Sequence, residues 1–208
     1  MRISWRFALI IIMNTNKGWH SRGYLPHFDS SETLQVVTFR LADSLPLSVL
    51  NAWQKEVEEL LPDGSARKRE LQRRINIYLD AGYGACELDI PKVAVMMEQA
   101  MLYFDSIRYR LISWVIMPNH VHTLIEIWDE FSLGQILGSW KSFVSHEMGK
   151  MSGRVGQFWQ PDYFDRFIRD EPHFYRAVSY IENNPVKAGL CAVPEDWPYG
   201  SARFNLRS

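Results

Sequence analysis

Two histidines lie one residue apart in the segment IMPNHVHTLI, residues 116–125. If HVHTLIEIW is a β-strand, His120 and His122 point to one face of the sheet and Val121 points to the other, because side chains alternate along a strand. Two neutral imidazoles on one rigid strand form half of a divalent-metal site, and added oxygen ligands favour Mg²⁺ or Mn²⁺. Two such histidines can also simply hydrogen-bond inside a core, so the metal hypothesis needs a third ligand and a reactive group.

The segment EPHFYRAVSYIENNP offers both groups on one predicted helix, over residues 170–184. An apolar stripe at helical spacing should pack on the sheet, and it consists of Phe174, Val178 and Ile181. Tyr180 and Asn184 are one turn apart on an adjoining stripe. The Asn184 amide can complete a metal shell while the Tyr180 hydroxyl attacks a substrate. The alternative is that Tyr180 is an aromatic residue at the edge of the core and that Asn184 only ends the helix before Pro185.

The remaining patterns predict the elements that must position these groups. LQVVTFRL is typical of a strand, LSVLNAWQKEVEELL and PKVAVMMEQAMLYFD of helices, and YRLISWVIM and HVHTLIEIW of a hairpin around the Pro-Asn turn. SLGQILGSWKSFVSHEMGKM predicts a further helix, capped by Ser132, whereas YLDAGYGACELDI is interpreted as a loop. This order indicates an α+β protein with a central antiparallel sheet and helices packed on it.

Composition sets limits on the class of protein. The chain has 208 residues, of which 47% are hydrophobic, so it can form a substantial core. A net charge of −1 means that any DNA-binding surface must be local. Two cysteines are too few for a disulfide framework and suit the cytoplasm. Residues 1–12 are interpreted as an extension or a mis-assigned start, too short to cross a membrane, and residues 13–208 as a single domain.

Three longer motifs carry a family resemblance. WVIMPNHVHTLIEI, FWQPDYFDRFIRDEPHFYRAVSYIENNPVKAGL and PEDWPYGSAR resemble the HUH single-tyrosine transposases, in particular the REP-associated branch, over roughly residues 18–204. HUH denotes two histidines around a bulky apolar residue, here His120, Val121 and His122. The resemblance implies a ferredoxin-like sandwich. It also implies that His120, His122 and Asn184 bind Mg²⁺ or Mn²⁺ and that Tyr180 is the nucleophile.

The implied reaction is cleavage and rejoining of single-stranded hairpin DNA through a covalent 5′-phosphotyrosine. Expected DNA contacts are Lys141, Arg166, Arg169 and Lys187, with Arg67–Arg74 as a further candidate. Phe158, Trp159 and Tyr163 either stack on bases or pack in the core. Tyr163 and Tyr175 are the alternative nucleophiles, and the protein acts as a monomer or a homodimer.

Two other function classes compete with this hypothesis. A metal-dependent hydrolase built on an H-x-H barrel needs about 250 residues and more ligand-bearing strands. A regulator that binds DNA or RNA on the same fold without cleaving it is the second alternative. The presence of His120, His122, Tyr180 and Asn184 together favours the enzyme.

Overall fold

The architecture is that of a computed structural model, which describes residues 16–21, 26–30, 34–153 and 156–207. The prediction for residues 1–12 therefore lies outside the described residues. Two strands, β1 (Asn16–Ser21) and β2 (Pro26–Ser30), pair with each other in an antiparallel ribbon. None of the helices described is long and apolar enough to traverse a lipid bilayer.

The main sheet confirms the predicted α+β class. Its strands are β3 (Leu34–Arg40), β4 (Tyr109–Ile116), β5 (His120–Ile127) and β6 (Phe164–Phe167), and every pairing between them is antiparallel. The order across the sheet is β4-β5-β3-β6. Counting only these four strands along the chain, this is the order 2-3-1-4 of a ferredoxin-like sandwich. The open sheet does not form the barrel that the alternative hydrolase would need.

The helices are α1 (Leu47–Leu60), α2 (Gly64–Asp80), α3 (Pro91–Leu102), α4 (Leu133–Ser152), α5 (Glu171–Glu182) and the single turn α6 (Asn184–Lys187). The Ser132 cap of α4 is confirmed as a capping box with Gln135. Short 3₁₀ turns occupy Glu87–Asp89, Pro194–Asp196 and Ser201–Arg207.

Helix α2 is the main error of the sequence prediction. The interpretation of YLDAGYGACELDI as a loop includes residues 78–80, which instead form the end of this helix. In the structure Asp63 caps a helix of 17 residues by accepting bonds from the backbone N–H groups of Ser65 and Ala66. Ion pairs then hold the helix together and to α1: Arg74 pairs with Glu70 and Glu56 at 2.9 and 2.7 Å. This helix is rich in charged residues and few of its residues are buried. Its sequence therefore lacks the apolar periodicity that predicts a helix.

The two faces of the sheet carry different cores. Helices α3 and α4 cover one face, where Val121 packs with Met97, Trp140 and Val144. Helix α5 covers the other face, where Phe174 and Ile181 pack with Leu124. Since His120 and His122 alternate with Val121, they lie on the α5 face, as the strand periodicity predicted. This face of the sheet carries the candidate site.

Candidate metal and nucleophile site

The two histidines are adjacent and shielded from water. His120 is 0% exposed and His122 is 1% exposed. Their Nε2 atoms are 3.0 Å apart and the rings meet edge to face, with centroids separated by 4.6 Å. In an octahedral site, two neighbouring ligand atoms that are each about 2.1 Å from the ion lie about 3.0 Å from each other. The spacing of the pair therefore fits two ligands of one small cation.

Hydrogen bonds from behind fix the orientation of both rings. Asn119 donates its Nδ2 protons to the carbonyl oxygens of Leu79 and Tyr83, at 3.1 and 2.9 Å, so its Oδ1 is an acceptor. That Oδ1 lies 2.7 Å from Nδ1 of His120, which places the ring proton on Nδ1 and the lone pair on Nε2. Nδ1 of His122 lies 2.7 Å from Oγ1 of Thr38, its cross-strand partner. Such bonds to the far nitrogen are the usual support of metal-binding histidines.

A carboxylate that the sequence did not predict completes the cluster. Asp80, the last residue of α2, has Oδ1 at 3.7 Å from Nε2 of His120. Ligand atoms of Asp80, His120 and His122 all lie within 4.8 Å of one another. The buried Oδ1 of Asp80 has no hydrogen-bond partner among the described residues. In the structure the two Nε2 atoms are also at hydrogen-bonding distance from each other, and together with the unpartnered buried oxygen of Asp80 they form a donor set that suits a divalent cation.

Burial keeps the histidines in the form that binds metals. It lowers the pKa of His122 to about 3, with Lys187 adding to the effect, and it lowers the pKa of His120 well below its ordinary value. Burial also raises the pKa of Asp80 to about 6, although the charge of Lys187 acts in the opposite direction. At neutral pH the cluster therefore presents two neutral imidazoles and one carboxylate.

Tyr180 lies against this cluster. Its ring meets His122 edge to face at a centroid distance of 5.3 Å, and its hydroxyl accepts a bond of 3.0 Å from Nδ2 of Asn76. The ammonium of Lys187 is 4.7 Å from the centre of the same ring. Burial and the charge of Asp80 raise the pKa of Tyr180 to about 12, with Asn184 acting in the opposite direction. The structure thus brings the predicted tyrosine to the predicted histidines.

Asn184 is fully buried at the start of α6, just after the C-terminal cap of α5. Neither its Oδ1 nor its Nδ2 makes a hydrogen bond of ordinary geometry with the described residues. Its amide still lies close enough to Tyr180 to influence the phenol. The residue predicted as third ligand is therefore an unsatisfied polar group beside Tyr180, while Asp80 is the carboxylate nearest to the histidines.

The predicted DNA contacts separate into two groups. Arg166 and Arg169 are exposed at the end of β6, where burial lowers the pKa of Arg166 and the charges of Arg169, Arg69 and Arg176 lower it further. These four arginines form a local basic patch. Lys187 is exposed beside Tyr180. Lys141 instead donates to the carbonyls of Gln160 and Pro161 at 2.9 and 3.2 Å, and supports that loop from within.

Other aromatic candidates lie apart from the cluster. Phe158, Trp159 and Tyr163 belong to the core on the α3–α4 face. Tyr175 is 53% exposed and packs against Phe174. Among the described tyrosines Tyr180 is the one with a ring contact to either histidine of the pair. Of the Arg67–Arg74 stretch, Arg69 joins the basic patch, while Arg73 and Arg74 pair with Glu70.

Asn76 and Asp80 are the functional candidates that the sequence prediction missed. With Gln72 they are spaced i, i+4 and i+8, which places all three on one stripe of α2. That polar stripe was the available signal, but the helix had to be recognised first. Even then, nothing local indicates that it lies over residues 120, 122 and 180.

Comparison with known proteins finds sequence similarity to transposases over about half of the chain. Residues 95–184 match the model of a family described as transposase IS200 like. A REP-associated tyrosine transposase of Escherichia coli is 30% identical over 99 residues, which cover 45% of this chain and 54% of that protein. A putative REP-associated tyrosine transposase of Haemophilus influenzae is 26% identical over 110 residues, covering 48% and 62% respectively. The matches thus span a little more than half the length of these relatives.

A solved structure resembles the whole fold. It is described as a REP-associated tyrosine transposase bound to a REP hairpin, and it aligns with a TM-score of 0.56 over 89% of this chain and 86% of that one. Because the sequences are only 16% identical, the alignment shows that the folds are similar and nothing more. The predicted ferredoxin-like arrangement is the one it shares.

Proposed function

From the premise that the chain is a homologue of the REP-associated tyrosine transposases, we propose that it cleaves and rejoins single-stranded DNA with a tyrosine nucleophile and a divalent metal. The observation that carries the proposal is the contact between Tyr180 and His122, inside a cluster where His120 and Asp80 complete a cation site. Tyr180 is half-buried at the edge of the core on the α5 face, and its ring also lies beside two neutral imidazoles and a carboxylate.

Three side chains would hold the metal: His120 and His122 through Nε2, and Asp80 through Oδ1. Asn184, with its unsatisfied buried amide, is proposed as a further oxygen ligand. Mg²⁺ and Mn²⁺ suit this mixture of nitrogen and oxygen donors. When bound, the ion would supply positive charge to the phosphate oxygens of the substrate.

Tyr180 would perform the attack. Its hydroxyl gives up its proton to solvent as Oη forms a bond to the phosphorus, the bond from phosphorus to the 3′-oxygen breaks, and that oxygen takes up a proton from solvent and leaves as a 3′-hydroxyl. Since the phenol pKa is raised to about 12, the oxygen needs help to carry negative charge. The N–H of Asn76 donates to that oxygen and would stabilise its charge, and the ammonium of Lys187, 4.7 Å from the centre of the ring, would add to this. Rejoining is the reverse reaction with another 3′-hydroxyl.

The proposed partner is a single-stranded DNA hairpin, as in the relative bound to a REP hairpin. Arg69, Arg166, Arg169 and Arg176 form a compact basic patch that suits the phosphates of a folded hairpin better than a long basic track would. Lys187 would contact the phosphate nearest Tyr180. We also propose that the protein works in the cytoplasm, where it meets DNA, as a monomer or a homodimer.

The test is formation of a covalent adduct. A pool of hairpin oligonucleotides with randomised flanks carries a label at the 3′ end, because the tyrosine retains the downstream strand. We expect an adduct in Mn²⁺ or Mg²⁺ that disappears with EDTA and in Tyr180→Phe. Tyr175→Phe, an exposed tyrosine of the same helix, serves as the control and should retain it. Persistence of the adduct in Tyr180→Phe refutes the proposed nucleophile, and tight metal-independent binding without adduct favours a non-cleaving regulator.

A further inference from the structure

The polar stripe of α2 connects the candidate site to a cavity. Asp80 faces His120, and one turn earlier Asn76 donates to the Tyr180 hydroxyl. One further turn earlier Gln72 donates to Oδ1 of Asn76 at 2.7 Å and lines the cavity. The α-helix rises 1.5 Å per residue, so the cavity wall at Gln72 is about 6 Å along the helix from the residue that touches the nucleophile.

The cavity lies on the same face of the sheet as the histidines. Thr38, which supports the ring of His122, forms part of its wall, and so does Arg40, the cross-strand partner of His120. The space between β3, α1, α2 and the segment before β6 measures about 570 Å³ with its open mouth included, and only a small part of it is enclosed by the lining. A single water molecule is far smaller than this space.

The lining of the cavity is mainly apolar. Its apolar walls come from Leu71, Ile75 and Leu79 on α2 and from Phe164 of β6. The polar residues that border it are Arg40, Gln54, Gln160 and Asp162, and the guanidinium of Arg40 already donates to Ser44 and Leu45. Apolar and aromatic walls of this kind accept the faces of nucleobases.

We propose that this cavity binds an unpaired nucleobase of the cleaved strand, next to the phosphate that Tyr180 attacks. The inference rests on the proposed function, because that reaction requires a single strand to pass Tyr180. A base seated beside Gln72 would hold its own phosphate within reach of the Tyr180 hydroxyl. The cavity thereby fixes which phosphate is cut.

The first experiment removes single bases from the DNA substrate and, in a protein variant, fills the cavity with a larger side chain. In the hairpin selected from the randomised pool, each nucleotide flanking the cleaved bond is replaced in turn by an abasic site. We expect one position at which the loss of the base slows adduct formation about 10-fold or more. In Leu71→Trp, which fills the cavity, the intact hairpin should react as slowly as the abasic one, and removal of the base should cost nothing further.

The matched control is Leu60→Trp, because Leu60 is exposed on α1 and lies outside the cavity lining. It should keep the full sensitivity to the abasic site. Thermal unfolding of both variants checks that they fold. If abasic substitution and Leu71→Trp slow the reaction independently, so that their effects multiply, the inference is overturned.

A second experiment needs no catalysis and separates this inference from the proposed function. Tyr180→Phe protein in EDTA is irradiated with the same hairpin pool, now carrying 5-iodouracil in the flanks, and cross-linked peptides are identified by mass spectrometry. Cross-links on Phe164, Leu71 or Ile75 support the cavity even if no adduct ever forms. Cross-links confined to peptides outside the cavity lining contradict it, even if the enzyme is active.

Discussion

Two regions build the candidate site, and one of them can be predicted from the sequence far better than the other. Strand β5 and helix α5 lie within residues 95–184, the part that matches the transposase family model, and they supply His120, His122 and Tyr180. Helix α2 lies outside that match and supplies Asp80 and Asn76. The first region holds the groups proposed to react, and the second lies against them and donates a hydrogen bond to the Tyr180 hydroxyl. The chemistry proposed here therefore depends on a helix that the motif alone does not reveal.

The largest effect is expected in the matched region, from His122→Ala. It removes one of two imidazole ligands and leaves the phosphate charge poorly compensated, so adduct formation should fall by about 100-fold or more. The matched control is His146→Ala, an exposed histidine on α4 that should react like the parent. A His122→Ala protein that keeps its rate in Mn²⁺ would remove the pair from the mechanism.

The next effect tests whether α2 belongs to the metal site. Asp80→Ala should weaken Mn²⁺ binding about 10- to 100-fold, measured by titration calorimetry or electron paramagnetic resonance. Asn184→Ala is the comparison within the matched region. If Asn184→Ala weakens binding and Asp80→Ala does not, the metal is held by the matched region alone and α2 is only a cover.

A smaller effect is expected from Asn76→Ala. One hydrogen bond to the Tyr180 oxygen is lost, so the adduct rate should fall roughly 10-fold while Mn²⁺ affinity stays unchanged. Asn51→Ala, an exposed asparagine on α1, is the control. A parallel loss of rate and metal affinity would mean that Asn76 acts on the packing of α2 instead of on the phenol.

Acidification should destabilise the metal-free protein. The pKa of His122 is lowered to about 3 in the fold and that of His120 is also lowered, so both take up protons more readily in the unfolded chain. The two histidines therefore leave the free energy of unfolding at its full value above about pH 6.5 and lower it as the pH falls below that value. Asp80, whose pKa is raised to about 6, works in the opposite direction between about pH 4 and 6, because the fold protonates it first.

Two histidines outweigh one carboxyl group, so we expect the free energy of unfolding in EDTA to fall by roughly 2 kcal/mol between pH 7 and pH 5. Urea denaturation at each pH measures it, and His122→Gln should reduce the fall. His146→Gln provides the control and should leave the profile as it is. A stability that rises on acidification would show that Asp80, the contribution of α2, dominates the electrostatics of the cluster.

Local periodicity was enough to predict the arrangement of the matched region, whereas the roles predicted for its residues came from the family resemblance. Alternation along HVHTLIEIW placed His120 and His122 on one face, and an apolar stripe placed α5 on the sheet with Tyr180 at its margin. The repeat of a strand or helix determines which of its side chains share a face, so this geometry can be derived from a few residues. Phe158 and Trp159 were left open between stacking and packing, and the structure places both in the core.

Helix α2 could not be predicted in the same way. Its stability comes from the Asp63 cap and from ion pairs such as Arg74 with Glu56 and Glu70, while Leu79 is its only fully buried residue among those described. Its site contacts join residues that are 40 or more positions apart in sequence, such as Asp80 with His120 and Asn76 with Tyr180. A single sequence carries no signal for such pairings.

The most direct test of the central claim is to identify the residue that carries DNA. The adduct formed with hairpin DNA in Mn²⁺ is digested with protease and nuclease, and the modified peptide is sequenced by mass spectrometry. The account predicts a nucleotide linked through its 5′-phosphate to Tyr180, formed only when a divalent cation is present. A nucleotide on Tyr163 or Tyr175, or one on Tyr180 that forms equally well in EDTA, would contradict it.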